Sequence, residues 1–279
     1  MSGLLPDATR MGAVHLTVAD LERSLDWYRG PIGLRVHARD GGTARLGAGG
    51  EDLLVLRELP GAPPADGHTG LFHFALLLPS RPDLARWLAH AARNRVPLTG
   101  LSDHWVSEAI YLRDPDHHGI EIYADRPRQL WEGRVREGMT TLPLDTNDLL
   151  GELADPEAPF EGLPAGTTIG HVHLRVADIP ETIRFYRDGL GFELVAALGS
   201  QAAFLSAGGY HHHFAGNTWE SAGAAFAPDG SATLERMTVL VPDGGALDAV
   251  EARLGGERTP DGLALRDPSG NPVLVATAA

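Results

Sequence analysis

VHLTVADLERSLDWYRGPIGL (residues 14–34) and VHLRVADIPETIRFYRDGLGF (residues 172–192) are two copies of one pattern. His15 and His173, Asp20 and Asp178, Tyr28 and Tyr186, and Gly33 and Gly191 each stand 158 positions apart. A constant offset over so many matches marks an internal repeat. Each copy opens on a short run of strand character. Asp20 or Asp178 then offers a side-chain oxygen to the free amides of a helical first turn. Leu21, Leu25 and Tyr28 share one helical face in the first copy, as Ile179, Ile183 and Tyr186 do in the other. Glycine ends each helix, where the backbone takes a positive φ. Three further strands are predicted per copy: near 35–38, 43–46 and 52–58, and near 193–196, 202–205 and 209–214.

Two more divergent copies complete a set of four βαβββ modules. One runs from LFHFALLL (71–78) through a helix at 83–92 to GIEIYAD (119–125); the other runs from RMTVLV (236–241) through a helix near 245–254 to NPVLV (271–275). They share a turn before the last strand, RDPDHHG (113–119) against RDPSGNP (266–272). The modules are expected at about 12–60, 70–125, 168–228 and 233–277. This gives a first pair over 1–125, a second over 168–279, and a proline-containing linker over 126–167. The fold class is α+β.

Composition limits what such a chain does. The 279 residues suffice for two domains, and 43% hydrophobic with 22% charged residues is ordinary for a globular protein. A formal charge of −14 argues against nucleic acid or an anionic membrane surface, and leaves small molecules and other subunits as partners, a homo-oligomer included. The absence of cysteine excludes disulfides, thiolate ligands and cysteine nucleophiles. With no membrane-length apolar run and no leader-like start, a cytoplasmic location is the default expectation. The glycines of HARDGGTARLGAGG lack a strand–GxGxxG–helix setting and say nothing about nucleotides.

The repeat and the stretch from His104 to Glu121 together resemble the vicinal oxygen chelate superfamily of glyoxalases, antibiotic-resistance binding proteins and extradiol ring-cleaving dioxygenases. His104, Tyr111, Asp114, Pro115 and Glu121 are similar to the extradiol signature. Ser102 and His117 depart from it, since glycine or proline is usual at the place of His117. The closest likeness is to catechol 2,3-dioxygenases of the CatE type. The resemblance implies modules paired into curved-sheet cups, with metal ligands from the first strand of each module and the last strand of one. It also implies Fe(II), with Mn(II) as the other candidate ion, and a small aromatic diol and dioxygen as substrates.

Strand alternation then tests which residues face a cup. Glu121 alternates with Ile120 and Ile122, His73 with Phe72 and Phe74, His173 with Val172 and Leu174, and His15 with Val14 and Leu16. The fourth module is bare, with Arg236 and Met237 at the place of His73 and Leu274 at that of Glu121. Pairing in chain order would give His15, His73 and Glu121. Crossed pairing, second module with third and first with fourth, would give His173, His73 and Glu121. The crossed form is favoured because it brings GYHHHF (209–214) to the same cup, where His213 or His211 would handle the catechol proton. His104 and Tyr111 would hydrogen-bond the reacting oxygens. His211–His213 also reads as no more than a polar strand, and His117 and His118 as turn residues. Trp219 either lines a substrate entrance or merely packs. Two rival functions remain open: a glyoxalase-like lyase or isomerase on four ligands (His73, Glu121, His173 and His213), and a metal-free protein binding an aromatic or glycopeptide ligand.

Overall fold

The computed structural model describes residues 3–278; residues 1, 2 and 279, the outermost positions of the two module pairs, lie outside the described residues. After a two-residue strand β1 (Arg10–Met11), the first module comprises β2 (Val14–Val18), helix α1 (Leu21–Trp27), β3 (Arg35–Asp40), β4 (Thr43–Gly47) and β5 (Asp52–Glu58). The second comprises β6 (Gly70–Leu77), α2 (Arg81–Arg93), β7 (Gly100–Asp103), β8 (Ser107–Arg113) and β9 (Gly119–Asp125). The linker holds two short helices α3 (Val135–Gly138) and α4 (Thr146–Leu150), and a strand β10 (Leu142–Pro143) that extends the edge of β7. The third module has β11 (Thr168–Arg175), α5 (Ile179–Ile183), β12 (Glu193–Leu198), β13 (Ala202–Ser206) and β14 (Phe214–Asn217). The fourth has β15 (Leu234–Val241), α6 (Gly244–Leu254), β16 (Glu257–Thr259), β17 (Gly262–Arg266) and β18 (Pro272–Thr277).

The helix starts follow from local chemistry. Asp20, Ser80, Asp178 and Asp243 each accept a hydrogen bond from the backbone amide three residues on, so all four module helices carry a side-chain N-cap. Gly33 and Gly191 end the first and third module helices at φ of 91° and 101°. Each of these two helices finishes in a π turn, over Tyr28–Ile32 and Arg184–Leu190.

The strands form two nine-stranded sheets. One joins the first and fourth modules through the antiparallel pair β2–β15, and the other joins the second and third through β6–β11. The helices tie the two sheets together in chain order. Trp87 of α2 donates to the Ile32 carbonyl at 3.1 Å, and Arg253 of α6 donates to the carbonyls of Gly189 and Leu190. Two buried tyrosines repeat this tie. Tyr28 donates to Asp114 at 2.8 Å, and Tyr186 to Asp267 at 3.1 Å. Each aspartate also accepts two backbone amides of its own RDP turn, Asp114 from Asp116 and His118, and Asp267 from Ser269 and Asn271. The signature aspartate therefore shapes the turn that leads into β9. His117 sits in that turn at φ 68°, and Gly270 occupies the matching place at 81°, which is why glycine is usual there. Among the described residues no helix is long and apolar enough to cross a membrane.

Candidate metal centre

Three neighbouring strands, β9, β6 and β11, build the floor of the second cup. Ala75 of β6 is in register with Glu121 on one side and with His171 on the other. His73 precedes Ala75 by two residues and so projects from the same face. The small methyl of Ala75, fully buried, leaves the space into which the three larger side chains converge. His73 Nε2 lies 3.0 Å and His171 Nε2 3.1 Å from Glu121 Oε2, and the two Nε2 atoms are 3.4 Å apart. Among the described residues these are the three whose donor atoms cluster as metal ligands do.

The electrostatics match the geometry. Burial alone would raise the Glu121 carboxyl, but the imidazoles of His171 and His73 outweigh it and hold it well below the usual carboxylate range. Burial depresses His73 despite the nearby carboxylate, so its ring is neutral and offers a lone pair. Donors on neighbouring corners of an octahedral ion, with bonds of about 2.1 Å, stand about 3 Å apart. The separations found here fit that pattern. Two imidazole nitrogens and a carboxylate oxygen turned toward one buried point form a donor set that a cation would satisfy. The residues present therefore fit a divalent ion in a two-histidine, one-carboxylate facial set.

His173 does not belong to this trio. It faces the same cup but stands opposite His73, and its Nε2 accepts from the Asn217 side-chain amide at 2.9 Å. Burial, then His73 and His171, pushes it well below the ordinary imidazole value. His15 lies in the other cup, paired in register with Arg236, whose guanidinium approaches its Nε2 at 3.3 Å. A cation thus occupies the place where a second ligand would be needed. Burial, then Arg236, pushes His15 down to about 4.

A sequence signal for His171 existed. His73 stands seven residues before its helix cap Ser80, and His171 seven before Asp178. The same count lands on Ala13 in the first module and on Arg236 in the fourth. The repeat shares His15 and His173, whereas Ala13 stands in the first module where the third has His171, so the matching residues of the two copies do not include this position.

The histidine run also differs from the expected strand. β14 begins only at Phe214; the residues before it form a turn with Gly208 and Gly209 at φ of 60° and 66°. Period-two alternation therefore does not apply, and His212 rather than His211 or His213 lines the cavity. Its ring lies 4.1 Å from that of His171, and burial, followed by His171 and His211, keeps it well below its ordinary value. His213 instead accepts the Ala207 amide at Nδ1, and burial pushes it down to about 3. His211 is fully buried, between Asp125 and His212.

His104 and Tyr111 meet at the cavity wall, with His104 Nε2 2.7 Å from the Tyr111 hydroxyl. His104 Nδ1–H donates to the Thr140 carbonyl of the linker at 2.8 Å, which leaves Nε2 to accept from the tyrosine. Tyr111 is in register with Glu121, and burial with that carboxylate raises its hydroxyl well above the ordinary value, so it stays a hydrogen-bond donor. The cavity above the trio measures about 760 Å³, ample for a small aromatic molecule. One side is aromatic: the Phe72 ring lies 5.0 Å from His173 and 5.5 Å from Trp219, which is half exposed at the mouth. Linker residues Arg136, Met139, Thr140 and Thr141 form part of the opposite wall.

The chain matches the family model described as the glyoxalase/bleomycin resistance protein/dioxygenase superfamily over residues 10–122 and 168–274. It is 43% identical over 272 residues, 93% of this chain and 94% of the relative, to the catechol-2,3-dioxygenase of Bacillus subtilis (strain 168). Its fold is similar to glyoxalase I from Zea mays (TM-score 0.59, 19% identity, 97% of this chain and 92% of that one). It is also similar to the cppA protein of Streptococcus pneumoniae TIGR4 (TM-score 0.57, 13% identity, 96% and 98%). With four βαβββ modules in two curved sheets, the chain belongs to the glyoxalase/bleomycin resistance protein/dioxygenase superfamily.

Proposed function

We propose that the chain is an extradiol ring-cleaving dioxygenase that acts on a catechol with dioxygen, and that His73, His171 and Glu121 hold its Fe(II). The convergence of those three donors on the floor of an aromatic-walled cavity carries the reading. The 43% identity to a protein named catechol-2,3-dioxygenase supports the chemistry. When bound, the iron would supply a site where diol and dioxygen meet and electrons pass between them.

The protein's own residues do the rest. A catechol ring entering past Trp219 lies along Phe72, with its diol toward the trio. His212, at the cavity wall beside His171, accepts a proton from a catechol hydroxyl and later returns one. The Tyr111 hydroxyl gives its hydrogen to His104 in the empty cavity; with substrate bound it turns that hydrogen from His104 to the reacting oxygens and stabilises negative charge developing there. The apolar walls limit water around the reacting centre. A four-ligand site of the lyase kind finds less support, because the available nitrogens of His173 and His213 are engaged by Asn217 and by Ala207.

The test loads the protein anaerobically with Fe(II), then measures bound iron and catechol-dependent oxygen uptake with formation of the yellow 2-hydroxymuconic semialdehyde-type product. One iron per chain is expected in the wild type and in His173→Ala, and little in His171→Ala. Full iron loading without oxygen uptake across a panel of catechols would sink the assignment.

A further inference from the structure

Behind the cavity wall, three side chains form a hydrogen-bonded line whose direction can be worked out. Asp125, at the end of β9, places Oδ1 2.9 Å from His211 Nε2. His211 Nδ1 in turn lies 2.8 Å from His212 Nδ1. A carboxylate only accepts, so His211 carries its hydrogen on Nε2. In a neutral His211 ring Nδ1 is then bare and accepts, so the hydrogen between the two rings belongs to His212 Nδ1. His212 Nε2 is left without a hydrogen. Among the described residues that atom has no hydrogen-bond partner, and it is open to the cavity that His212 lines.

The surroundings hold this line in place. His211 is fully buried, with Tyr210, Trp131 and Tyr123 packed around its ring at 4.0, 5.6 and 6.1 Å. Trp131 comes from the linker and donates its indole N–H to the Arg126 carbonyl, which anchors it over the histidine. Arg128, in the same stretch, reaches the Gly208 carbonyl at 2.6 Å and pins the glycine turn that precedes the run. The linker thus covers the buried His211 ring, the middle member of the line, and keeps water from supplying it with competing hydrogen bonds.

We propose that Asp125 and His211 are positioning residues that fix the tautomer of His212, so that its bare Nε2 is presented to the substrate. Asp125→Asn is the informative change because it keeps the shape and reverses the logic. The Tyr210 hydroxyl donates to the same carboxyl and retains the asparagine oxygen, so the asparagine amide donates to His211 Nε2; His211 then carries its hydrogen on Nδ1 and donates to His212, and His212 is left protonated at Nε2. A base with its hydrogen on the wrong nitrogen cannot accept, a fault of the kind known to cost a histidine–aspartate pair several orders of magnitude.

The effect on turnover rests on the dioxygenase reading; the tautomer does not. Two-bond ¹H–¹⁵N correlation spectra of the full-length, metal-free protein, with His212 assigned by difference from His212→Asn, read the tautomer directly. The expected result is an Nδ1–H His212 in the wild type and in Asp125→Glu, and an Nε2–H His212 in Asp125→Asn. In the iron-loaded enzyme Asp125→Asn is expected to lower kcat by about 10²–10⁴-fold at nearly unchanged KM and iron content, with Asp125→Glu recovering most of the rate. An Nε2–H His212 in the wild type overturns the proposal, as does an unchanged tautomer or an unchanged kcat in Asp125→Asn. A wild-type protein that binds iron but consumes no oxygen removes the dioxygenase reading and leaves the spectra to judge the tautomer.

Discussion

His213 is buried beside the cavity, and its neutral Nδ1 accepts the amide hydrogen of Ala207 at 3.2 Å. Protonation would point a hydrogen at that amide and place a charge where burial and the neighbouring rings of His211 and His171 oppose it, so the folded state holds this imidazole near pKa 3. In the unfolded chain the value returns to about 6.5. Between these values the unfolded state binds the extra proton, so stability is full above about pH 6.5, falls with decreasing pH, and levels off near pH 3. Moving from pH 7.5 to 5 should cost about 2 kcal/mol through this residue alone, since the unfolded imidazole protonates almost completely while the folded one does not. The assay is urea unfolding of the chelated protein at both pH values and constant ionic strength, for wild type and His213→Asn. Asparagine keeps an acceptor for Ala207 but cannot titrate. The variant should therefore lose about 2 kcal/mol less than the wild type over the same interval. Other histidines contribute equally to both proteins and cancel. Identical losses in the two proteins would refute the argument.

Other changes probe other parts of the molecule. Ala75→Leu fills the space between Glu121 and His171; it should cost about 1–3 kcal/mol by overpacking and sharply reduce bound iron, read by unfolding and metal analysis. Tyr28→Phe removes the hydroxyl donor from buried Asp114 and should destabilise by about 1–3 kcal/mol in urea titrations. Trp219→Ala, at a half-exposed site, should leave stability within about 0.5 kcal/mol. It should raise KM for alkyl-substituted catechols by about tenfold and affect unsubstituted catechol less, as steady-state oxygen uptake would show.

The fold class was legible because its determinants are local. An aspartate or serine at the cap, apolar residues on one helical face and a glycine at positive φ recur in the copies, and each acts within a few residues of itself. That Glu121 and His73 face a cup was legible for a similar reason: a carboxylate or an imidazole flanked by large apolar residues on a strand must face something polar. His171 escaped because alternation assigns a face, not a position along it, and both His171 and His173 satisfy it. The histidine run escaped because two positive-φ glycines end the strand pattern before it begins, and no hydrophobic period announces such a turn. The direction of the Asp125–His211–His212 line depends on a contact between residues 86 positions apart and on an adjacent pair bent out of strand geometry.

The order in which the modules pair resembles nested brackets: the second and third modules, consecutive along the chain, form the inner pair, and the first and fourth close around them as the outer pair. During synthesis all three residues of the candidate trio have emerged once His171 has, and the inner sheet has its last strand complete at Asn217, before β15 exists. The opposite holds for β2, whose partner edge stays bare until residues 234–241 arrive. A nascent chain thus carries an exposed strand edge for most of its length, the kind of surface that recruits wrong partners. A stop or frameshift near residue 230 would leave the inner cup with all its residues and the first module with no edge to join.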